Sequence, residues 1–198
     1  MMSERIYLNN DWKFAEQFEA SMTEAAYDDS VMQNVRLPHT CKETPLHYFD
    51  EHCYQMVSGY RRVIEAEEAW KGKKILLTID GAAHDSEVFL NGDKVGEHHC
   101  GYTAFTMDIS GVLRYGEKNI LVVKVDSRED LNIPPFGYVI DYMTYGGIYR
   151  DVYLDIKNKD YIEDIFIRTN IGQMDDQNAE LISEVTVQRT QEGLFLKQ

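Results

Sequence analysis

A chain of 198 residues, 43% hydrophobic and 12% aromatic, holds enough apolar material for one full core, or for one domain and part of a second. Its formal charge of −14 argues against a nucleic-acid partner, which wants a basic face, and against docking on an anionic membrane. No apolar run approaches the roughly 20 residues of a membrane-crossing helix. The opening MMSERIYLNNDW has neither the basic nor the apolar region of a secretory signal. Cys41, Cys53 and Cys100 are an odd number at unrelated spacings, with no CxxC pair. A disulfide framework or zinc knuckle is therefore not expected, and the pattern predicts a reducing, cytoplasmic setting.

Along the chain the dominant period is two. Met22 to Tyr27 is the one helical candidate, and a short one. Lys74-Ile75-Leu76-Leu77-Thr78-Ile79 predicts a strand apolar enough to be buried on both faces. Glu87 to Leu90, then Asn91-Gly92, then Asp93 to Val95 predicts a tight hairpin, because Asn-Gly supplies the positive φ such a turn needs. The turn Tyr115-Gly116-Glu117 introduces a strand over Asn119 to Val125. A further strand spans Ile148 to Ile156, with Ile148, Val152, Leu154 and Ile156 on one face and Asp151, Tyr153 and Asp155 on the other. The same alternation puts Arg150 on the apolar face, predicting a buried structural arginine that must be paired. Arg61 and Arg62 are expected to split in the same way, one facing in with its stem packed and one facing water.

Short strands punctuated by Gly, Asn, Asp and Pro indicate an all-β sandwich. Lys157-Asn158-Lys159-Asp160 is polar enough for a linker. Two alternating strands follow, Ile162 to Arg168 and Ala179 to Val187, around the turn Gly172 to Asp176. Two strands alone are marginal in water, so this segment predicts the opening hairpin of a second sandwich.

Gly146-Gly147-Ile148-Tyr149-Arg150-Asp151-Val152 resembles the motif that closes the N-terminal domain of glycoside hydrolase family 2, which includes β-galactosidases and β-glucuronidases. Further stretches agree in order: Asp11-Trp12-Lys13-Phe14, Val35-Arg36-Leu37-Pro38-His39-Thr40, and Gly59-Tyr60-Arg61-Arg62, which lacks the family's usual tryptophan. The hairpin from Gly81 to Gly96, then Gly101 to Phe105 and Asp108-Ile109-Ser110, follows in register. The resemblance covers roughly residues 6 to 156. It implies a jelly-roll (galactose-binding-domain-like) sandwich over residues 1–157. For residues 158–198 it implies a linker and the incomplete start of an immunoglobulin-like sandwich.

The resemblance also implies a retaining glycosidase, whose two carboxyl groups stand about 5–5.5 Å apart. In the family both are glutamates of a TIM barrel, and no βα repeat able to build one occurs here. The Asn-Glu dipeptide of the family's acid/base is also missing. The chain is thus expected to be a non-catalytic sugar-binding domain whose loops meet a carbohydrate in an active site completed by the catalytic barrel of the same polypeptide. A stand-alone carbohydrate-binding module and a pure scaffold are the alternatives. The full enzyme is expected to need no cofactor beyond a possible monovalent or divalent cation, and to be a possible homo-oligomer.

Among individual residues, Asp141 stands six positions before Gly147. The resemblance gives an aspartate at that offset the task of accepting hydrogen bonds from sugar hydroxyls and, in some β-galactosidases, of helping hold a monovalent cation. Tyr142 and Tyr145, with the Pro134-to-Tyr138 loop, offer faces on which a sugar ring could stack. Core or interdomain packing is the competing fate for most of the thirteen tyrosines. Asn91 and Gly92 are structural. His98 and His99, beside Cys100, point to opposite faces of a strand and do not chelate together. His39 is expected to cap a turn.

Overall fold

The computed structural model describes residues 4–44, 46–47, 50–137, 142–171 and 179–189. In chain order the strands begin with β1 (Glu4–Tyr7), β2 (Trp12–Ala15), β3 (Gln33–Val35), β4 (Val57–Glu65) and β5 (Lys74–Ile79). There follow β6 (Ala82–Ala83), β7 (Asp85–Leu90), β8 (Asp93–His98), β9 (Phe105–Asp108) and β10 (Lys118–Asp126). The last four are β11 (Gly147–Ile148), β12 (Val152–Lys157), β13 (Tyr161–Ile171) and β14 (Ala179–Gln188). The expected all-β sandwich is present, built from a four-stranded sheet β1-β12-β5-β9 and a six-stranded sheet β3-β2-β4-β10-β7-β8, both antiparallel.

Alternation selects what is buried. Ile75, Leu77 and Ile79 of β5 and Val152, Leu154 and Ile156 of β12 share one core with Tyr60 and Ile64 of β4, Leu121, Val123 and Val125 of β10, and Val88 and Leu90 of β7. Leu76, expected to be fully covered, is only half-buried. Asn91 and Gly92 both take positive φ, 55° and 95°, and Leu90 pairs with Asp93 across the turn. The Asn91 amide also reaches β10, donating to Asn119 Oδ1 at 2.8 Å and accepting from the Ile120 amide at 3.0 Å.

The helical candidate shrinks to a single 3-10 turn, Ala20–Thr23, with a second at Asp29–Val31. This segment covers the outer face of the six-stranded sheet. Met22 and Met32 pack on Val122 there as a small second core, with Phe18, Phe89 and Ile120 around it. Arg61 points out of the sandwich yet is only 3% exposed, because this segment lies over it. Its guanidinium donates to Met22 O at 3.1 Å and Glu24 O at 3.3 Å, and pairs with Asp29. Arg62 is half-buried, and its Nη1 is buried with no hydrogen-bond partner among the described residues.

Arg150 departs from expectation. The alternation does not run unbroken from Ile148 to Ile156. Ile148 pairs with Ala82 in the small β6-β11 sheet, the chain bends at Arg150, and Val152 enters the four-stranded sheet opposite Ile79. The bend resets the phase, so Arg150 is exposed rather than buried. It still has a tethering role, donating to Tyr102 O at 3.0 Å and to Asp80 O at 3.4 Å.

Beyond the sandwich, β13 and β14 form a two-stranded sheet with no further strand among the described residues. Ile162, Ile165, Phe166, Ile167 and Leu181 of this hairpin are all exposed.

Candidate functional site

The motif Gly146-Gly147-Ile148 anchors the long loop that follows β10. Cys41 N donates to Gly146 O at 2.9 Å and His39 N donates to Ile148 O at 2.8 Å, so the Leu37-to-Cys41 segment runs alongside it. Gly147 adopts φ +114°, where an added Cβ would fall 2.7 Å from both His39 O and Tyr60 Oη. A Cβ on Gly146 would fall 2.3 Å from Ser127 Cβ and 2.8 Å from Cys41 Sγ. Ser127 itself is fixed by β4's approach, its amide donating to Met56 O at 2.9 Å. The two ends of the 127–146 loop therefore touch, and the loop is tied off at its base.

His39 does more than end a turn. Its Nδ1 lies 2.9 Å from Tyr60 Oη, and its ring packs on Phe14 at 4.8 Å. Burial lowers its pKa and raises that of Tyr60 above the usual phenol range, so both stay neutral near pH 7.

Above this base lies a cavity of about 270 Å³, walled by Tyr102, Tyr142, Tyr145 and Tyr149 and completed by Ala83, His84, Met143 and Thr144. Tyr142 is 59% exposed, and its hydroxyl lies 3.0 Å from that of Tyr102. Tyr145, 48% exposed, sets its ring edge-on to the buried Tyr54 at 5.1 Å. Tyr149 Oη donates to Gly101 O. Burial first, then the neighbouring Tyr142 hydroxyl, raises the Tyr102 pKa above the ordinary range. Neutral aromatic faces with hydroxyls at the rim suit a sugar ring, whose C–H face is apolar and whose edge carries hydroxyls.

The structure thus brings Tyr142 and Tyr145 to one pocket. Phe136 is exposed and does not line it. Asp141 and Tyr138 lie outside the described residues. No group of three His, Cys, Asp or Glu side chains able to hold a metal ion occurs among the described residues, and Asp141, the one candidate ligand, is not among them, so no step is assigned to a cation. His98 and His99 take separate partners, Thr103 Oγ1 at 2.8 Å and Asp85 Oδ1 at 2.7 Å.

Of the other ring-bearing members of the pocket, His84, Tyr102 and Tyr149 were not singled out as site residues from the sequence, although Tyr102 and Tyr149 lie in the stretches that carry the family resemblance. His84 is 3% exposed, and neither ring nitrogen has a hydrogen-bond partner among the described residues. Burial pushes its pKa down. A Cβ on Gly101 would fall 2.9 Å from its Nδ1. The Gly101-Tyr102 dipeptide was the available signal, since a glycine before an aromatic marks a close approach by some neighbour.

Residues 7–158 match the family model for the sugar binding domain of glycosyl hydrolases family 2. The chain is 39% identical over 183 residues to a β-galactosidase of Thermoanaerobacter pseudethanolicus, covering 92% of this chain and 24% of the relative. It is 34% identical over 154 residues to a β-glucuronidase of Bacteroides fragilis, covering 78% and 21%. Among solved structures, Bacteroides uniformis β-glucuronidase 2, covalently bound to cyclophellitol-6-carboxylate aziridine, superposes with a TM-score of 0.75 at 30% identity, over 85% of this chain and 20% of that one. A β-glycosidase from Bacteroides vulgatus gives a TM-score of 0.79 at 26% identity, over 96% and 25%. The chain spans less than a quarter of the length of the two curated relatives. The sandwich, the Gly146-Gly147 closure and this match together place the chain in glycosyl hydrolases family 2, residues 7–158 being the part that matches the family's sugar binding domain.

Proposed function

We propose that the chain is the non-catalytic N-terminal domain of a retaining β-galactosidase- or β-glucuronidase-like glycosidase. It presents the 127–146 loop, with Tyr142, Tyr145 and Asp141, to a sugar held in an active site that the catalytic barrel of the same polypeptide completes. The observation that carries this is the aromatic pocket standing on the Gly146-Gly147 closure. The apolar side chains exposed on β13 and β14 support a longer polypeptide, in which further strands of an immunoglobulin-like sandwich cover them. The three free cysteines support a reducing, cytoplasmic setting.

The test has two arms. The 198-residue chain should show no turnover of nitrophenyl β-galactoside or β-glucuronide. In the complete polypeptide, Tyr142→Ala with Tyr145→Ala should lower kcat/KM by roughly tenfold through lost ring stacking. A double variant within twofold of wild type would remove the loop from the substrate site. Turnover by the short chain, abolished by replacing one of its own carboxylates, would overturn the non-catalytic assignment.

A further inference from the structure

Resting on that reading, we propose that His84 is a substrate-binding residue: its imidazole is the polar anchor of the aromatic pocket and exchanges a hydrogen bond with a hydroxyl of the sugar ring seated among Tyr102, Tyr142, Tyr145 and Tyr149. A neutral imidazole carries one N–H donor and one acceptor nitrogen. Leaving either unmet in an interior costs about as much as a lost hydrogen bond, so buried polar groups are almost always paired. At His84 both nitrogens are buried and both lack a partner among the described residues, while the ring lines the cavity. The surrounding tyrosines supply apolar faces, and the hydroxyls of Tyr102, Tyr142 and Tyr149 are already engaged, the first two with each other and the third with Gly101 O. Among the described residues, His84 is the buried side chain of this lining whose polar atoms are both unmet.

The ligand class follows from the same features. A sugar hydroxyl both donates and accepts, so it satisfies either nitrogen without requiring a charge on the ring. A cavity of about 270 Å³ lies just under the roughly 300–1,000 Å³ typical of pockets for drug-sized ligands, which fits one pyranose ring rather than an oligosaccharide. Tyr142 is the most exposed of the four lining tyrosines, held to Tyr102 through their hydroxyls, and its displacement is the movement that would bring a ring down to His84.

The experiment follows the imidazole resonances of the 198-residue chain by NMR while methyl β-D-galactopyranoside or methyl β-D-glucuronide is added. His84→Phe assigns the His84 signals and serves as the second variant. The expected result is a saturable shift of the His84 signals with at least one of the two sugars, while the other five histidines stay still. His84→Phe keeps a ring and removes two unmet polar atoms, so its Tm should hold or rise, by roughly 2–4 °C. A purely structural histidine would instead lose stability. The proposal is overturned if the His84 signals do not move with either sugar at its solubility limit, or if His84→Phe lowers Tm and leaves the sugar response of the tyrosine rings unchanged. The loop's own contribution is read separately, by kcat/KM of the tyrosine variants in the complete polypeptide. Loss there with a silent His84 would remove the anchor and leave the loop assignment standing.

Discussion

The hydroxyl oxygen of Tyr60 lies 2.7 Å from where a side chain on Gly147 would begin. Tyr60 is a fully buried residue of the sandwich core, so the closing motif is pressed directly onto that core and has no room to grow. Gly147→Ala should therefore cost about 2 kcal/mol or more, the strain of φ +114° adding to an overlap that includes a backbone carbonyl. Gly72→Ala is the matched control. It also sits at positive φ, +83°, but nothing lies within 4 Å of its added Cβ, so about 1–2 kcal/mol is expected. Urea unfolding of both variants checks the difference, and equal losses would show that the contact with Tyr60 is unimportant.

Arg61 is the rivet of the outer face. Arg61→Ala leaves Met22 O and Glu24 O without their donor and Asp29 without its cation. Breaking a buried pair typically costs about 3–5 kcal/mol, and Asp29 is partly exposed, so about 3 kcal/mol is expected. Limited proteolysis should then cut within residues 16–32 well before the sandwich strands. A variant with the wild-type urea midpoint and cleavage pattern would contradict this.

Stability should fall as the solution is acidified, before any carboxylate titrates. Burial holds His39, His84 and His98 below their usual range in the folded chain, so the unfolded chain takes up protons first. The folded state is at full stability above the unfolded histidine value of about 6.5 and loses stability between that pH and the lower folded values. Thermal scans between about pH 7.5 and pH 5 should show this slope, and His84→Phe should flatten it by at most one proton, about 1.4 kcal/mol per pH unit. A profile for His84→Phe parallel to wild type would show that His84 does not titrate differently in the two states.

In the complete polypeptide, Asp141→Asn replaces one acceptor oxygen with a donor while keeping the side chain's shape. Losing a charged hydrogen bond costs about 1.5–3 kcal/mol, so kcat/KM on the preferred glycoside should drop roughly ten- to a hundredfold with Tm unchanged. Steady-state kinetics and a melting curve on the same preparation decide it. A change under twofold would return Asp141 to an ordinary loop aspartate.

What could be read from residues alone was whatever is decided locally. The Asn91-Gly92 turn needs positive φ at two successive positions, and few dipeptides supply it. The strands around it announce themselves by alternation that one sheet keeps in phase. Arg150 was misplaced because alternation was carried across a point where the chain changes sheets, and nothing local marks that change. Arg61 was buried by a segment some forty residues earlier, a contact no periodicity encodes. Tyr142 and Tyr145 stood out as aromatics before a family motif. His84 did not, because an unmet hydrogen bond is a property of the assembled neighbourhood.

The tie between Ser127 and Gly146 has a consequence for how such proteins diversify. A loop whose ends meet at a fixed clasp adds little closure entropy as it lengthens. Changes of length between the two ends are then cheap for folding, while Met143, packed on the sandwich core, and Tyr145, set against Tyr54, are the positions that folding holds. Selection is free to rewrite the rest of this stretch for a new ligand while leaving the strands alone, and a laboratory graft of a relative's loop between the same two residues should fold on the first attempt.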